Sequence, residues 1–128
     1  MTRILVADDS EVVRHGMGLL LRQHEGWEVC GEAVDGQETV IKAHQLAPDV
    51  VVLDFAMPVM NGIEAARQIR KERPNTAIVL CSGYLDSQLA AIARDAGITS
   101  VLPKSNIGQL IKGVEAGLCG ESFTELQI

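Results

Sequence analysis

The sequence predicts an α/β domain: a doubly wound sheet of five parallel strands with helices on both faces. Short apolar runs rich in β-branched residues alternate with segments whose apolar residues recur at helical spacing. Parallel strands need right-handed crossover connections, so this alternation indicates a parallel sheet covered on both sides. With 128 residues, of which 47% are hydrophobic, the chain suits one packed domain.

The five predicted strands differ in pattern. Four are nearly continuous apolar runs, as expected for strands buried on both faces. The second alternates apolar residues with Glu28, Cys30 and Glu32, which predicts an edge strand with its apolar side chains on one face. In chain order the predicted strands cover residues 3–7, 27–33, 49–53, 76–81 and 100–102.

The helices between them carry start and stop signals. Ser10 can cap the first helix, and Asp35 and Asn61 are each followed by Glu three positions later, as in a capping box. Gly97 suits the left-handed position after the fourth helix. Ser105 is expected to cap the last helix.

Composition excludes several classes of function. A net charge of -6 argues against nucleic-acid binding by this segment, because phosphates require clustered Lys and Arg. The three cysteines have no metal-ligand or disulfide-framework spacing, which indicates reduced thiols and a cytoplasmic protein. No apolar run approaches the length of a membrane span, and the N-terminus begins a strand rather than a signal peptide.

Polar residues follow the strands at their carboxyl ends, which a parallel sheet brings to one edge. They are Asp8 and Asp9, Asp54, Ser82, and Lys104. Each close pair of carboxylates would cost on the order of 4 kcal/mol at about 4 Å, so a proton or a divalent cation must relieve the repulsion. Oxygen ligands of this kind suit Mg²⁺. With a lysine and a hydroxyl beside them, they predict a cradle for a phosphoryl group on Asp54.

Four segments, LVADDS, VVLDFAMPVMNG, VLCSG and VLPKS, resemble the receiver domain of bacterial two-component response regulators in order and spacing. The resemblance implies a flavodoxin-like strand order, 2-1-3-4-5, with Asp54 as the phosphoacceptor. It implies Mg²⁺ bound by Asp9 and Asp54, by Asp8 through water, and by the Ala56 carbonyl. Ser82 and Lys104 would bind the phosphoryl group, delivered by a sensor histidine kinase or a phosphotransfer protein.

Two positions depart from the family pattern. The family's aromatic residue three positions before the lysine is replaced here by Val101. Val101 and Tyr84 are therefore both possible gating residues. The family's Lys-Pro pair is also absent, since Pro103 precedes Lys104 and Ser105 follows it. Both peptide bonds are therefore left open between cis and trans.

Two other functions compete with a phosphorylatable signalling domain. An aspartyl-phosphate phosphohydrolase would carry a second Asp two residues after its nucleophile, where this chain has Ala56. A flavin carrier would need a phosphate-binding loop after strand one, where Asp8 and Asp9 would repel phosphate. The chain is therefore expected to promote its own phosphotransfer and slow dephosphorylation, and not to be an enzyme that turns over a substrate.

The predicted receiver covers residues 1–118, and residues 119–128 form a tail or the start of a linker. The stretch IKGVEAGLCGESFTELQI resembles receivers that precede a LuxR-type helix-turn-helix domain, which implies transcriptional output. A stand-alone receiver acting through protein contacts is the alternative. A homodimer through helix 4, strand 5 and helix 5, or through helix 1, is also expected, with no membrane contact.

Overall fold

The computed structural model describes residues 1–125. The strands are β1 (Thr2–Ala7), β2 (Trp27–Ala33), β3 (Val50–Asp54), β4 (Ala77–Ser82), β5 (Ser100–Pro103) and β6 (Phe123–Thr124). The helices are α1 (Glu11–Arg22), α2 (Gly36–Leu46), α3 (Gly62–Glu72), α4 (Ser87–Asp95) and α5 (Leu110–Leu118), with a 3-10 segment at Lys104–Gln109.

All strand pairs are parallel, in the order β2-β1-β3-β4-β5-β6. The predicted doubly wound order 2-1-3-4-5 is confirmed. The order reverses between β1 and β3, whose carboxyl ends carry the first two groups of acidic residues. The topology therefore brings Asp8 and Asp54 to one end of adjacent strands.

The central strands bury both faces, so that successive residues enter different cores. Leu5, Leu53 and Leu80 pack against α2, α3 and α4 on one side. Their neighbours Val52 and Val79 pack against α1 and α5 on the other side. Continuous apolar runs were the correct signal for these strands.

The edge strand β2 departs from its predicted pattern. Its register with β1 shifts between Ile4 and Leu5, which pair with Val29 and Gly31 and leave Cys30 without a partner. This β-bulge interrupts the period of two. Trp27 and Val29 therefore join the α1–α5 core, whereas Ala33 joins the opposite core. The expectation of a single inner face was wrong.

Three predicted helix starts are confirmed. The side chains of Ser10 and Asp35 accept the backbone N–H groups of Val13 and Glu38, and Asn61 forms a full capping box with Glu64. These contacts satisfy N–H groups that have no partner inside the helix.

The predicted cap at Ser105 was wrong. Residues Lys104–Gln109 form a 3-10 segment interrupted at Asn106, which has φ -127° and ψ 53°, and α5 begins only at Leu110. That non-helical residue prevents one continuous helix from starting at Ser105. The bonds before and after Lys104, left open from the sequence, are trans, like every other peptide bond of residues 1–125.

The C-terminal segment forms a sixth strand. Gly120 has φ +74°, and the chain then turns onto the outer edge of β5, where Ser100 pairs with Phe123 and Val101 with Thr124. Part of the predicted tail thus belongs to the sheet; its residues 126–128 lie outside the described residues. No helix within residues 1–125 combines the length and the apolar character that crossing a bilayer requires.

Candidate functional site

Three carboxylates meet at the carboxyl ends of β1 and β3. One oxygen from each of Asp8, Asp9 and Asp54 lies within 4.8 Å of the others. Asp8 and Asp54 are 0% and 3% exposed, whereas Asp9 faces solvent. The strand ends fix the two buried side chains, and the exposed Asp9 leaves one side of the cluster open.

Lys104 neutralises the buried pair. Its Nζ lies 2.7 Å from Asp8 Oδ2 and 3.1 Å from Asp54 Oδ2. The lysine arrives from the end of β5, so three strands contribute to one ion cluster. Because all three groups are largely withdrawn from water, their attraction is screened less than that of a surface ion pair.

The two carboxylate oxygens of Asp8 differ in their hydrogen bonding. Asp8 Oδ1 accepts the backbone N–H of Ser10 at 2.8 Å. Asp8 Oδ2 is buried, and among the described residues no donor meets hydrogen-bond geometry with it, Lys104 being close but poorly aligned. Lys104 thus supplies charge to this oxygen without a well-aligned hydrogen bond.

The surroundings of Asp54 favour its protonated form. Burial and the neighbouring Asp8 raise the pKa of Asp54, and Lys104 and the Ala56 N–H oppose them only in part. Burial lowers the pKa of Lys104, but its contacts with Asp8 and Asp54 outweigh this and leave that pKa raised. The lysine thus stays charged, and further positive charge beside Asp54 would oppose the rise of its pKa.

The β3–α3 loop holds Asp54 by close backbone packing. The N–H of Gly62 donates to the Phe55 carbonyl at 2.8 Å, which closes the loop. A Cβ on Gly62 would lie 2.2 Å from the Asp54 carbonyl oxygen, and one on Gly36 would lie 2.0 Å from that of Met60. Only glycine fits these two positions, so the Asn-Gly pair supports the position of Asp54.

Ser82 is the last residue of β4 and is buried at the same sheet edge. Its hydroxyl donates to the backbone carbonyl of Tyr84 at 2.7 Å, so in this conformation it is engaged away from the carboxylates. The Tyr84 side chain is 64% exposed, whereas Val101 is buried in the α2–α3–α4 core. The two possible gating residues therefore lie in different environments, Tyr84 at the surface and Val101 in the core.

Arg14 is a supporting residue that the sequence did not reveal. Its guanidinium donates to the Asp8 backbone carbonyl at 2.7 Å and pairs with Glu32 at 3.1 Å. It therefore ties α1 and β2 to the end of β1. A single arginine within a helix carries no local signal of such a contact, because the contact depends on the tertiary fold.

The profile of the response regulator receiver domain matches residues 4–115, nearly the whole of the described chain. The chain belongs to the response regulator receiver domain family. The resemblance inferred from the four sequence segments is thereby confirmed. Receiver domains of this family belong to two-component systems, as the description of the Aurantimonas relative given below also states.

Individual relatives are similar along the whole chain. The response regulator protein VraR of Staphylococcus epidermidis is 32% identical over 127 residues, which cover 98% of this chain and 61% of VraR. The chain thus spans about three fifths of the length of that relative. VraR from Staphylococcus aureus strain COL shows the same identity and coverage.

Solved structures give the same result. A LuxR-family two-component response regulator from Aurantimonas sp. SI85-9A1 has a TM-score of 0.91 and 33% identity, with 96% of this chain and 89% of that chain covered. The receiver domain of the putative response regulator NarL of Mycobacterium tuberculosis has a TM-score of 0.87 and 29% identity, covering 94% and 98%. The expected likeness to LuxR-type receivers is confirmed.

Proposed function

We propose that this receiver domain accepts a phosphoryl group on Asp54 from a histidine kinase, in a Mg²⁺-dependent reaction, and changes its surface in response. The observation that carries the proposal is the position of Lys104, whose ammonium contacts both buried carboxylates beside a third, exposed one. A fixed cation next to a strand-end carboxylate is suited to stabilise a transferring phosphoryl group.

The chemistry is a transfer between two nucleophiles. An Asp54 carboxylate oxygen attacks phosphorus as the N–P bond of a phosphohistidine breaks, and the released imidazole nitrogen takes up a proton. Lys104 shifts from Asp8 toward the phosphoryl oxygens, and the Ser82 hydroxyl leaves the Tyr84 carbonyl to donate to the same group. Lys104 already lies 3.1 Å from Asp54 Oδ2, and Ser82 ends the neighbouring strand β4 at the same edge of the sheet.

The donor set fits Mg²⁺. It consists of carboxylate oxygens that lie within 4.8 Å of one another, and the exposed Asp9 leaves it open to solvent. Asp9 and Asp54 would hold the ion directly, Asp8 through water, and Ala56 through its carbonyl. When bound, Mg²⁺ would neutralise the charge that develops on the phosphoryl oxygens.

We further propose that the domain holds the phosphoryl group rather than turning over a substrate. A phosphohydrolase would need an acid–base carboxylate two residues after the nucleophile, and that position is Ala56. Only slow dephosphorylation is expected. Release of many equivalents of phosphate per chain would favour the enzymatic alternative.

The partner and output are parts of the same proposal. An apolar groove of about 440 Å³, lined in part by Val13, Met17, Leu20 and Ile107, opens beside Lys104. We propose it as the docking surface for the kinase, because its wall includes Lys104, the residue that contacts Asp54. A homodimer through α1, or through α4, β5 and α5, stays a prediction.

Transcriptional output by a longer protein, in the cytoplasm, is proposed by analogy with the LuxR-family relative. Action as a stand-alone receiver through protein contacts is the alternative. Expression of the natural full-length gene product would distinguish the two.

Incubation with Mg²⁺ and a small phosphodonor tests the proposal. The chain should gain one phosphoryl group, seen by intact mass, and the bond should be stable to acid and labile to base. Asp54→Asn should abolish labelling, whereas the matched variant Asp95→Asn, at an exposed position of α4, should label normally. Equal labelling of Asp54→Asn and the unmodified chain would refute the assignment.

A further inference from the structure

Residues 121–125, here called the C-terminal strap, run along the outer edge of β5. The N–H groups of Phe123 and Glu125 donate to the carbonyls of Thr99 and Val101 at 3.1 and 3.0 Å. The N–H of Glu121 donates to the Ala116 carbonyl at 2.8 Å, at the end of α5. The strap therefore covers backbone acceptors of β5 that would otherwise form a free sheet edge.

One side-chain contact links the strap to the phosphoacceptor site. The side-chain amide of Asn106 donates to Glu125 Oε1. Asn106 stands two residues after Lys104 in the same 3-10 segment, and its backbone is the one non-helical position within that segment. A single short segment thus carries the lysine of the ion cluster at its start and the anchor of the strap near its middle.

Few side chains hold the strap: Phe123 packs against the α1–α5 core, and the Arg94 guanidinium lies 3.5 Å from the Thr124 hydroxyl. The strand within the strap is two residues long, and Thr124 is exposed. The second carboxylate oxygen of Glu125 is buried, and none of the described residues donates to it. Burying such an oxygen without a partner costs free energy that opposes the backbone hydrogen bonds. Loss of the Asn106 contact would remove one of the few side-chain contacts of the strap and favour its detachment.

We propose that the C-terminal strap is a latch that phosphorylation of Asp54 releases, an inference that rests on the proposed function. Phosphoryl oxygens compete with Asp8 for Lys104, so the start of the 3-10 segment moves with the lysine. Asn106 then loses its contact with Glu125, and the strap leaves β5. Detachment frees the carbonyls of Thr99 and Val101 and changes the path of the chain after α5.

Hydrogen–deuterium exchange of the 121–125 peptide tests the latch in the full chain. The sample is compared with and without Mg²⁺ and a small phosphodonor, while intact mass reports phosphorylation. Exchange should become at least about fivefold faster on phosphorylation, the lower end of usual coupling between sites. A chain that is phosphorylated by mass but keeps its slow exchange would overturn the latch while leaving the proposed function intact.

Two test variants and one control variant separate the role of the Asn106–Glu125 contact from that of phosphorylation. Asn106→Ala should give fast exchange even without phosphorylation, whereas Asn75→Ala, an exposed asparagine after α3, should leave exchange unchanged. Glu125→Gln keeps an acceptor for Asn106 and removes the charge, so it should slow exchange and delay release. Slow exchange in Asn106→Ala would overturn the anchor. A chain that takes up no phosphoryl group would overturn the proposed function and, with it, the trigger of the latch, while Asn106→Ala alone would still decide the anchor.

Discussion

The ammonium of Lys104 lies 2.7 Å from Oδ2 of Asp8, closer than its 3.1 Å contact with Asp54. Lys104 thus lies next to Asp8, which is expected to contribute to the Mg²⁺ site. A metal ion and the ammonium repel each other at this range, so binding of the ion must displace the lysine or work against its charge.

Replacement of this lysine by a neutral residue should therefore tighten metal binding. We expect Lys104→Gln to bind Mg²⁺ about tenfold more strongly at neutral pH, equivalent to about 1.4 kcal/mol, because one competing positive charge is removed. Calorimetric titration measures the affinity. Lys71→Gln, at an exposed position of α3, is the matched control and should bind like the unmodified chain. Unchanged or weaker binding by Lys104→Gln would contradict the expected competition.

The raised pKa of Asp54 predicts a pH-dependent gain in stability for Asp54→Asn. Above both the ordinary pKa and the raised folded value, the carboxylate is ionised in both states, and the folded state bears the full cost of its burial beside Asp8. Below the ordinary value it is protonated in both states, and that cost disappears. Without Mg²⁺, Asp54→Asn should therefore be more stable than the unmodified chain at neutral pH, and the gain should shrink on acidification through the window between the two values.

Urea unfolding at a series of pH values measures this difference. Asp95→Asn should show no such gain, and Mg²⁺ should reduce the gain of Asp54→Asn because the metal compensates the ionised form. A gain that grows on acidification would have the wrong sign for a raised pKa and would refute this account.

The contact between Gly62 and the Asp54 carbonyl predicts a large cost for a single methyl group. Gly62→Ala should destabilise the fold by about 2 kcal/mol or more and impair phosphorylation, because the backbone around Asp54 must move. Gly16→Ala in α1, where an added Cβ meets nothing within 4 Å, should instead stabilise the fold by about 0.5–1 kcal/mol. Thermal unfolding compares the two, and similar effects at both sites would show that close packing at Gly62 is unimportant.

The backbone conformation of Val59 predicts that a substitution by glycine stabilises the fold. Val59 has φ +70°, and the hydrogen bond from Met60 N to the Pro58 carbonyl at 2.7 Å makes it the centre of a γ-turn, a strained conformation for a β-branched residue. Val59→Gly should stabilise the fold by about 1 kcal/mol. Val12→Gly, at an exposed position of α1, should destabilise it by a few tenths of a kcal/mol. Chemical denaturation of both variants checks the sign, and a loss of stability in Val59→Gly would contradict the strain.

Much of the fold could be predicted because its signals are local. Continuous apolar runs marked β1, β3, β4 and β5, and side-chain caps such as Ser10 and Asn61 marked helix starts. The bulge at Cys30, the interruption at Asn106 and the pairing of Phe123 with Ser100 depend on neighbours far away in the sequence. A two-residue strand has no periodicity to detect.

The same contrast between local signals and distant contacts applies to the site. The carboxyl ends of parallel strands converge, and this rule alone predicts that Asp8, Asp54 and Lys104 lie close together. It could not indicate that the ammonium lies nearer Asp8, nor that the Ser82 hydroxyl bonds to the Tyr84 carbonyl. Those details depend on side-chain conformations that several elements fix jointly, which is also why the contribution of Arg14 was missed.

The bulge in β2 also affects how this domain can change in length. Seven residues of β2 lie beside six of β1, and Cys30 is the surplus one. Deleting Cys30 would leave Val29 beside Ile4 and Gly31 beside Leu5, so every remaining side chain would keep its side of the sheet. Deleting a residue next to Cys30 while the bulge remained would shift the register by one residue. The side chains of one half of β2 would then point to the opposite face of the sheet. Cys30 thus marks the place in this edge strand where the sequence can lose a residue without any side chain changing its face of the sheet.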